Sequence, residues 1–305
     1  MPKTVMALVY VLPLSLCILT VDAQFTHATA QASSDPQAGT LEQIVPGYYA
    51  YISGPRISGV IATSDGVVVV DALSNEAMAT HVRQLIADRV GQPVRYLISS
   101  TFHGNYSGGN VAYRDVIRIG HEDYKADLLD LMAAENVPVA EQEAMLPHLT
   151  FHDRMTLHVG DREIQIIHIG PGHTRGDSIV FVPEDRIVYA SEAFFYERFP
   201  FMNSGYLNWI DAIDIILNLD ADIIVPGNGE WAFNDPHVTR QALVRSRQVL
   251  VDARDAVQRE MAQGATEDQV AARVLLRQYE GLTGYEPQSE VMVRRIYQDL
   301  QGTLP

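Results

Sequence analysis

Residues 99–110 read Ser-Ser-Thr-Phe-His-Gly-Asn-Tyr-Ser-Gly-Gly-Asn. The apolar residues 94–98 precede this stretch and predict a buried strand. The small residues at 104 and 107–109 predict a turn directly after that strand. Because layered α/β folds place their chemistry in loops at the carboxyl ends of strands, we expect a functional loop here. The polar side chains that it presents are Thr101, His103, Asn105 and Tyr106.

The remainder of the chain predicts two blocks of short strands, each followed by a helix. In the first block, strands are expected at 48–52, 58–62, 67–71, 94–99 and 116–119, and helices at 75–90 and 121–135. In the second block, strands are expected at 149–152, 156–159, 164–169, 178–182, 187–189 and 222–225, and a helix at 206–219. Residues 136–147 are predicted to be an exposed linker, and 237–301 to be mostly helical. Strands followed by a helix, twice, favour two facing sheets with helices outside.

The loop at 99–110 resembles the metal-binding loop of the metallo-β-lactamase-fold hydrolases, normally Thr-His-x-His-x-Asp-His-x-Gly-Gly-Asn. Three later segments resemble that family in order and spacing: 172–177 its second metal motif, 189–195 the segment with a metal-bridging Asp, and 225–229 the segment reading Pro-Gly-His-Gly. The resemblance implies a mixed α/β fold, the four-layer αββα sandwich, over 41–235. Residues 236–305 are then an additional C-terminal helical extension.

The same resemblance implies a site in which several ligands are replaced. Members of the family hold two metal ions, usually zinc, and the ligand positions of the first correspond to Thr101, His103 and His173. The positions of the second correspond to Asn105, Tyr106 and Asn228, and Glu192 stands at the bridging position. Because neutral Asn and Tyr side chains are weak ligands for a transition metal, we expect a second ion to bind poorly or not at all.

The substitutions therefore predict a degenerate site that binds one divalent metal ion or none. The ligands would be His103, His173 and Glu192, with zinc most favoured and iron or manganese as alternatives. Asn105 is predicted to orient a water molecule, and Tyr106 to donate a hydrogen bond to a developing oxyanion.

Several alternatives stay open at this point. The chain is interpreted as a hydrolase of an ester, lactone or amide small-molecule substrate, with negligible activity on β-lactams. It is alternatively a metal-free descendant that binds a small molecule or partner, or a lyase, cyclase or isomerase that uses acid–base side chains. The two histidines could also be ordinary core residues, and the glutamate could pair with Arg175 or Arg198.

The composition and the N-terminal segment indicate which partners the protein can bind and where in the cell it is found. The net charge of −16 argues against nucleic-acid binding, which needs basic patches. Residues 1–23 are typical of a signal peptide and 24–40 of a disordered leader, so the protein is predicted to be secreted or periplasmic without an integral membrane span after cleavage. An uncleaved N-terminal anchor is the alternative. The single cysteine, Cys17, lies in this segment, and the oligomeric state is left open.

Overall fold

The computed structural model describes residues 39–201, 205–231 and 236–303. The predicted signal peptide, and the predicted leader as far as residue 38, lie outside these residues. The first strand, β1, is Thr40–Val45, so regular structure begins one residue inside the predicted leader. None of the helices in the described ranges is long and apolar enough to cross a membrane.

The first sheet is built by the N-terminal strands in the order β1-β2-β3-β4-β5-β6-β7. Strands β1 to β4 form an antiparallel meander, whereas β5, β6 and β7 add in parallel. After β1, the strands are β2 Tyr48–Ser53, β3 Arg56–Thr63, β4 Gly66–Val70, β5 Val94–Ser99, β6 Ile117–His121 and β7 Leu149–Phe151. Parallel addition places the ends of β4, β5 and β6 at one edge of the sheet.

The second sheet is built by the later strands in the order β12-β11-β10-β9-β8. These strands are β8 Arg154–Val159, β9 Arg162–His168, β10 Ser178–Val182, β11 Ile187–Tyr196 and β12 Ile223–Gly229. The strand pairing between the two sheets runs through Arg56 of β3 and Asn228 of β12. This pair makes a continuous hydrogen-bonded path of strands out of two facing sheets.

Apolar side chains from both sheets meet in a shared core that includes Tyr48, Ile61, Val68, Val180 and Val225. The outer face of the first sheet packs on α1 Glu76–Arg89, and β6 and β7 contact α3 Glu122–Ala134; the short α2 Gly104–Ser107 follows β5. The outer face of the second sheet packs on α5 Leu207–Asn218, α6 Pro236–Ala262, α7 Glu267–Arg273 and α8 Tyr285–Gln301. The layers are therefore α, β, β and α, as the family resemblance implied.

The structure differs locally from the sequence predictions. The linker at 136–147 contains a short helix, α4 Val139–Met145, although none of its residues is buried. The helices beyond residue 236 pack into the same core as α5 and β11. The strand predicted at 187–189 continues to Tyr196, and its register shifts around Ser191, which adopts a left-handed conformation with φ of 48° and forms a bulge. A bulge re-aims the side chains that follow it, and the next residue is Glu192.

Candidate functional site

Three side chains of the predicted metal set meet at the edge where the strands end. His103 lies in the loop after β5, His173 lies in the loop after β9, and Glu192 follows the bulge of β11. One ligand atom from each residue lies within 4.8 Å of the others. The fold therefore brings together residues from three separate loops and strands, as expected from the sequence.

A single carboxylate oxygen lies at the centre of this cluster. Oε2 of Glu192 is 2.7 Å from Nδ1 of His103 and 3.7 Å from Nε2 of His173. The hydroxyl of Thr101, at the family's first histidine position, donates to the same oxygen at 3.4 Å. His173 and Glu192 are buried, whereas the side chain of His103 is 24% exposed. The cluster is therefore open to a ligand chiefly from the side of His103.

The charges in this cluster follow from its burial. Burial lowers the pKa of His173 to about 4, so this imidazole is neutral at pH 7. Burial also lowers the pKa of His103, but the charge and hydrogen bond of Glu192 outweigh it and the net pKa is raised. Burial raises the pKa of Glu192, but the charges of His103 and His173 outweigh it and the net pKa is lowered. The carboxylate is therefore ionised at neutral pH.

Asp177 holds the loop that carries His173. Its Oδ2 accepts the backbone N–H of His173 at 2.5 Å and that of Thr174 at 2.9 Å. The Thr174 hydroxyl donates to the other carboxylate oxygen. The His173 ring itself packs against aromatic rings, those of Phe195, Phe201 and Trp209. Hydrogen bonds and packing together leave this imidazole little rotational freedom.

Asp71 supports the strand that carries Glu192. Its carboxylate accepts the backbone N–H of Ser100 at 2.8 Å and the hydroxyl of Ser191 at 2.5 Å. Because Ser191 is the bulged residue of β11, this bond ties the bulge to the end of β4. Asp71 and Asp177 therefore each hold in place a segment that carries a residue of the cluster.

The positions of the second metal do not form a ligand set. Asn105 is exposed, whereas Tyr106 is buried. The hydroxyl of Tyr106 donates to the carbonyl of Gly227 at 2.7 Å and accepts from Nδ2 of Asn228 at 3.3 Å. Burial raises the pKa of Tyr106 well above its usual value, so the hydroxyl stays protonated. Its one proton is used within the fold, and the geometry gives no support to the predicted oxyanion role.

The alternative partners considered for Glu192 lie elsewhere. Arg175 pairs with Asp127 rather than with Glu192, and no ion pair joins Arg198 to Glu192. The histidines outside the motifs also stay apart from the cluster. His121 stacks on His168 with ring centroids 3.7 Å apart. Within the described residues, the His103–His173–Glu192 cluster is the one group of potential metal ligands.

Two arginines lie next to the second-metal positions, and the sequence interpretation considered Arg198 only as a partner of Glu192 and did not consider Arg56. Arg56 is only 5% exposed, and its Nε has no hydrogen-bond partner in the described part of the chain. Nε of Arg198 is likewise buried without a partner there. The only available signal was a basic residue, Arg56, that opens an otherwise apolar strand, and this signal is weak.

The family model described as the metallo-beta-lactamase superfamily matches residues 54–228. This match covers more than half of the chain, and it includes three of the four motif segments in full and the fourth, 225–229, as far as residue 228. The chain therefore belongs to the metallo-β-lactamase superfamily.

Individual relatives have low sequence identity to this chain, and their names describe different activities. A type 2 metallo-β-lactamase from Elizabethkingia meningoseptica is 23% identical over 63% of this chain and 79% of its own length. The alpha subunit of 2,4-dinitroanisole O-demethylase from Nocardioides sp. (strain JS1661) is 22% identical over 64% of this chain. This chain spans 57% of that subunit.

Solved structures show the same fold at low identity. The inverting sec-alkylsulfatase Pisa1 from Pseudomonas sp. superposes with a TM-score of 0.68 and 14% identity, over 85% of this chain and 50% of that one. The metallo-β-lactamase FIM-1 from Pseudomonas aeruginosa in its mono-zinc form gives a TM-score of 0.55 and 19% identity, over 70% and 96% of the two chains. These likenesses concern the fold alone.

Proposed function

We propose that this chain is a hydrolase that cleaves an ester, lactone or amide with the help of one divalent metal ion, preferentially zinc. The observation that carries the proposal is the convergence of His103, His173 and Glu192, whose ligand atoms lie within 4.8 Å of one another. Two ligands of a tetrahedral zinc ion at ~2.1 Å lie about 3.4 Å apart. The donor set of two imidazoles and one carboxylate therefore fits a single ion after small side-chain adjustments.

The protonation states of the cluster support this assignment. A metal ligand must offer a lone pair, so a histidine ligand must be neutral and a carboxylate ionised. His173 is neutral at pH 7, and Glu192 is ionised and supplies one negative charge. His103 exchanges its proton for the metal, which makes binding weaker at low pH.

The remaining residues bind and orient the substrate and water. When bound by these three ligands, a zinc ion would polarise the carbonyl oxygen of the ester, lactone or amide. Asn105 is exposed beside the cluster and can hydrogen-bond a water molecule through its amide, but it cannot remove a proton. Phe201 packs against His173 and excludes water from that side of the ring. Tyr106 is left out of this scheme because its hydroxyl is bonded to Gly227.

The metal content of protein purified without chelators tests the proposal. We expect about one equivalent of metal per chain, lost in His103→Ala but kept in His152→Ala, an exposed histidine outside the cluster. Two equivalents would contradict the single-ion site. No metal after reconstitution with zinc, manganese and iron would contradict the metal-dependent hydrolase. Hydrolysis of a panel of aryl esters, lactones and amides should require this one equivalent of metal.

A second candidate function rests on the hydrogen bond between His103 and Glu192. At 2.7 Å this bond orients the imidazole by its Nδ1 and leaves Nε2 free to exchange a proton with a substrate. Such a dyad supports a metal-free lyase, cyclase or isomerase. Treatment with a chelator separates the two candidates, because it abolishes metal-dependent hydrolysis and leaves acid–base chemistry unchanged.

We also propose that the protein is exported to the periplasm or the medium and that residues 1–23 are removed. The support is the apolar stretch at 5–20 followed by small residues near 23. The intact mass of the protein from its native host tests this proposal. A mass that includes residues 1–23 would contradict the cleavage.

A further inference from the structure

Arg56 is a buried cation without a counter-charge in the described residues. It opens β3 and is 5% exposed. Its Nε has no hydrogen-bond partner, and no carboxylate of the described chain lies within ion-pair distance of its guanidinium group. A charge that is buried without a partner costs several kcal/mol, so natural proteins rarely keep one without a reason.

Arg198 lies two residues after Tyr196 of β11, which pairs with Gly229 of β12, the neighbour of the Asn228 that pairs with Arg56. It follows β11, is partly buried, and its Nε has no hydrogen-bond partner among the described residues. Burial lowers its pKa below the usual value, and the charge of Arg56 lowers it further. The exposed Glu230 is near enough to raise it, but forms no ion pair with it. Two like charges are therefore held near each other without a carboxylate between them.

The surroundings of the two arginines are polar and partly unsatisfied. Asn228 pairs with Arg56 in the contact that joins the sheets, and its Oδ1 is buried without a hydrogen-bond partner in the described residues. The buried hydroxyl of Tyr106 accepts a hydrogen bond from Nδ2 of Asn228 at 3.3 Å. These are the positions at which the family resemblance puts the second metal ion.

Two guanidinium groups carry the same total charge, +2, as one divalent ion. Arginine presents planar, forked N–H donors that match the two oxygens of a carboxylate or sulfate. The chain has 38 acidic and 22 basic residues, so counter-charges are plentiful in its composition. An unpaired arginine pair in such a chain indicates that the counter-charge comes from outside it.

We propose that Arg56 and Arg198 form a binding pocket for the oxyanion group, carboxylate or sulfate, of a small molecule. The guanidinium groups hold the anion at the place of the second metal ion, and no bond is made or broken there. The identity of that molecule as the substrate rests on the proposed function, because the pocket adjoins the His103–Glu192 cluster. The binding of the anion itself does not depend on metal.

Titration of the metal-free full chain with sodium sulfate and sodium acetate tests the pocket. Ionic strength is held constant with sodium chloride, and the arginine Nε–H resonances are followed by NMR. We expect saturable shifts for two arginines, and the relative affinities of the two salts identify the preferred oxyanion. Arg198→Gln should weaken binding about tenfold or more, since hydrogen bonds to charged groups are the strong ones. Arg114→Gln, an exposed arginine far from the pocket, should bind like the wild type.

A second variant separates ligand binding from a structural role of Arg56. Arg56→Met should abolish anion binding while the melting temperature stays equal or rises, because the change removes a buried unpaired charge. A structural role predicts a lower melting temperature instead. Absence of saturation in the wild type, or equal binding by Arg198→Gln, would overturn the pocket even if Arg56→Met fails to fold. If the protein proves to bind no metal, the expected anion-binding results stay the same. Failure of the proposed function can therefore be distinguished from failure of the anion pocket.

Discussion

Nδ1 of His103 lies 2.7 Å from Oε2 of Glu192, and Thr101 contacts the same oxygen at 3.4 Å. Threonine is smaller than the histidine usual at this family position, and glutamate is one methylene longer than the usual aspartate. The longer carboxylate therefore reaches into the volume that the absent imidazole would fill. We expect Thr101 and Glu192 to compensate for each other's departure from the usual family residues, and the first prediction tests this.

Shortening Glu192 to aspartate should withdraw the carboxylate from His103 and lower zinc affinity at least about tenfold. The single change Thr101→His should also be harmful, because Thr101 is 1% exposed and the larger ring would clash with Glu192. The double variant should bind zinc better than the two separate effects predict. Competition with a chromophoric chelator measures all three affinities, and simple additivity would contradict the compensation.

Removing the carboxylate of Asp177 should loosen the loop of His173 and lower zinc affinity about 10- to 100-fold. The reason is that Asp177 accepts the backbone N–H groups of His173 and Thr174. Asp177→Ala should show the full loss, whereas Asp177→Asn keeps one acceptor oxygen and should recover part of it. The exposed Asp88→Ala serves as the control. Wild-type affinity in Asp177→Ala would show that packing alone positions the ring.

Tyr106→Phe should reduce the free energy of unfolding by about 1–3 kcal/mol, because a buried carbonyl at Gly227 loses its donor. Zinc content and turnover should stay near wild type. Urea denaturation and steady-state kinetics measure the two effects separately. Unchanged stability with a large fall in kcat would instead support the oxyanion role that the sequence suggested for this tyrosine.

Asp71 should make the folded protein less stable as the pH rises from about 4 to 6. Burial raises its pKa from 3.8 to about 6, despite the opposing hydrogen bonds from Ser191 and Ser100. Below pH 3.8 the carboxyl is protonated in both states. Between pH 3.8 and about 6, the carboxyl keeps its proton in the folded state but loses it in the unfolded state. The free energy of unfolding therefore falls over this range, by a total on the order of 3 kcal/mol that is complete above about pH 6.

Asp71→Asn should flatten that part of the pH–stability curve, measured by urea denaturation between pH 4 and 7. Asp115→Asn is the matched control with the opposite sign. A hydrogen bond from Arg83 lowers the pKa of Asp115, so its contribution is present at neutral pH and is lost as the pH falls. A curve for Asp71→Asn that falls as steeply as the wild type would contradict the assignment.

Most of the fold could be predicted from local signals in the chain. Alternating apolar runs and turn residues determine where strands begin and end, and the glycines at 108 and 109 have a specific steric reason. A Cβ at either position would lie within 2.2 Å of a backbone oxygen, at Ser74 or Ala72 respectively. The loop at 99–110 can therefore close against the end of β4 only with glycine there. Such short-range constraints are visible in a sequence.

The metal candidates were also predictable, because each stands at a motif position in its own loop. What they contact was not predictable. The left-handed bulge at Ser191 is hydrogen-bonded to Asp71, which is distant in sequence. That bulge decides where the carboxylate of Glu192 points.

The sequence alone determined the sandwich, the loop after β5 and the identity of His103, His173 and Glu192, since these depend on residue type and order. Only the tertiary structure decided that the hydroxyl of Tyr106 is bonded to Gly227, and that Nε of Arg56 and of Arg198 is buried without a partner in the part of the chain that the structure describes. The physical reason is that these relationships arise where β3 meets β12. Hydrogen bonds and unpaired charges at such a junction are set by how two sheets pack, and local sequence patterns do not record that packing.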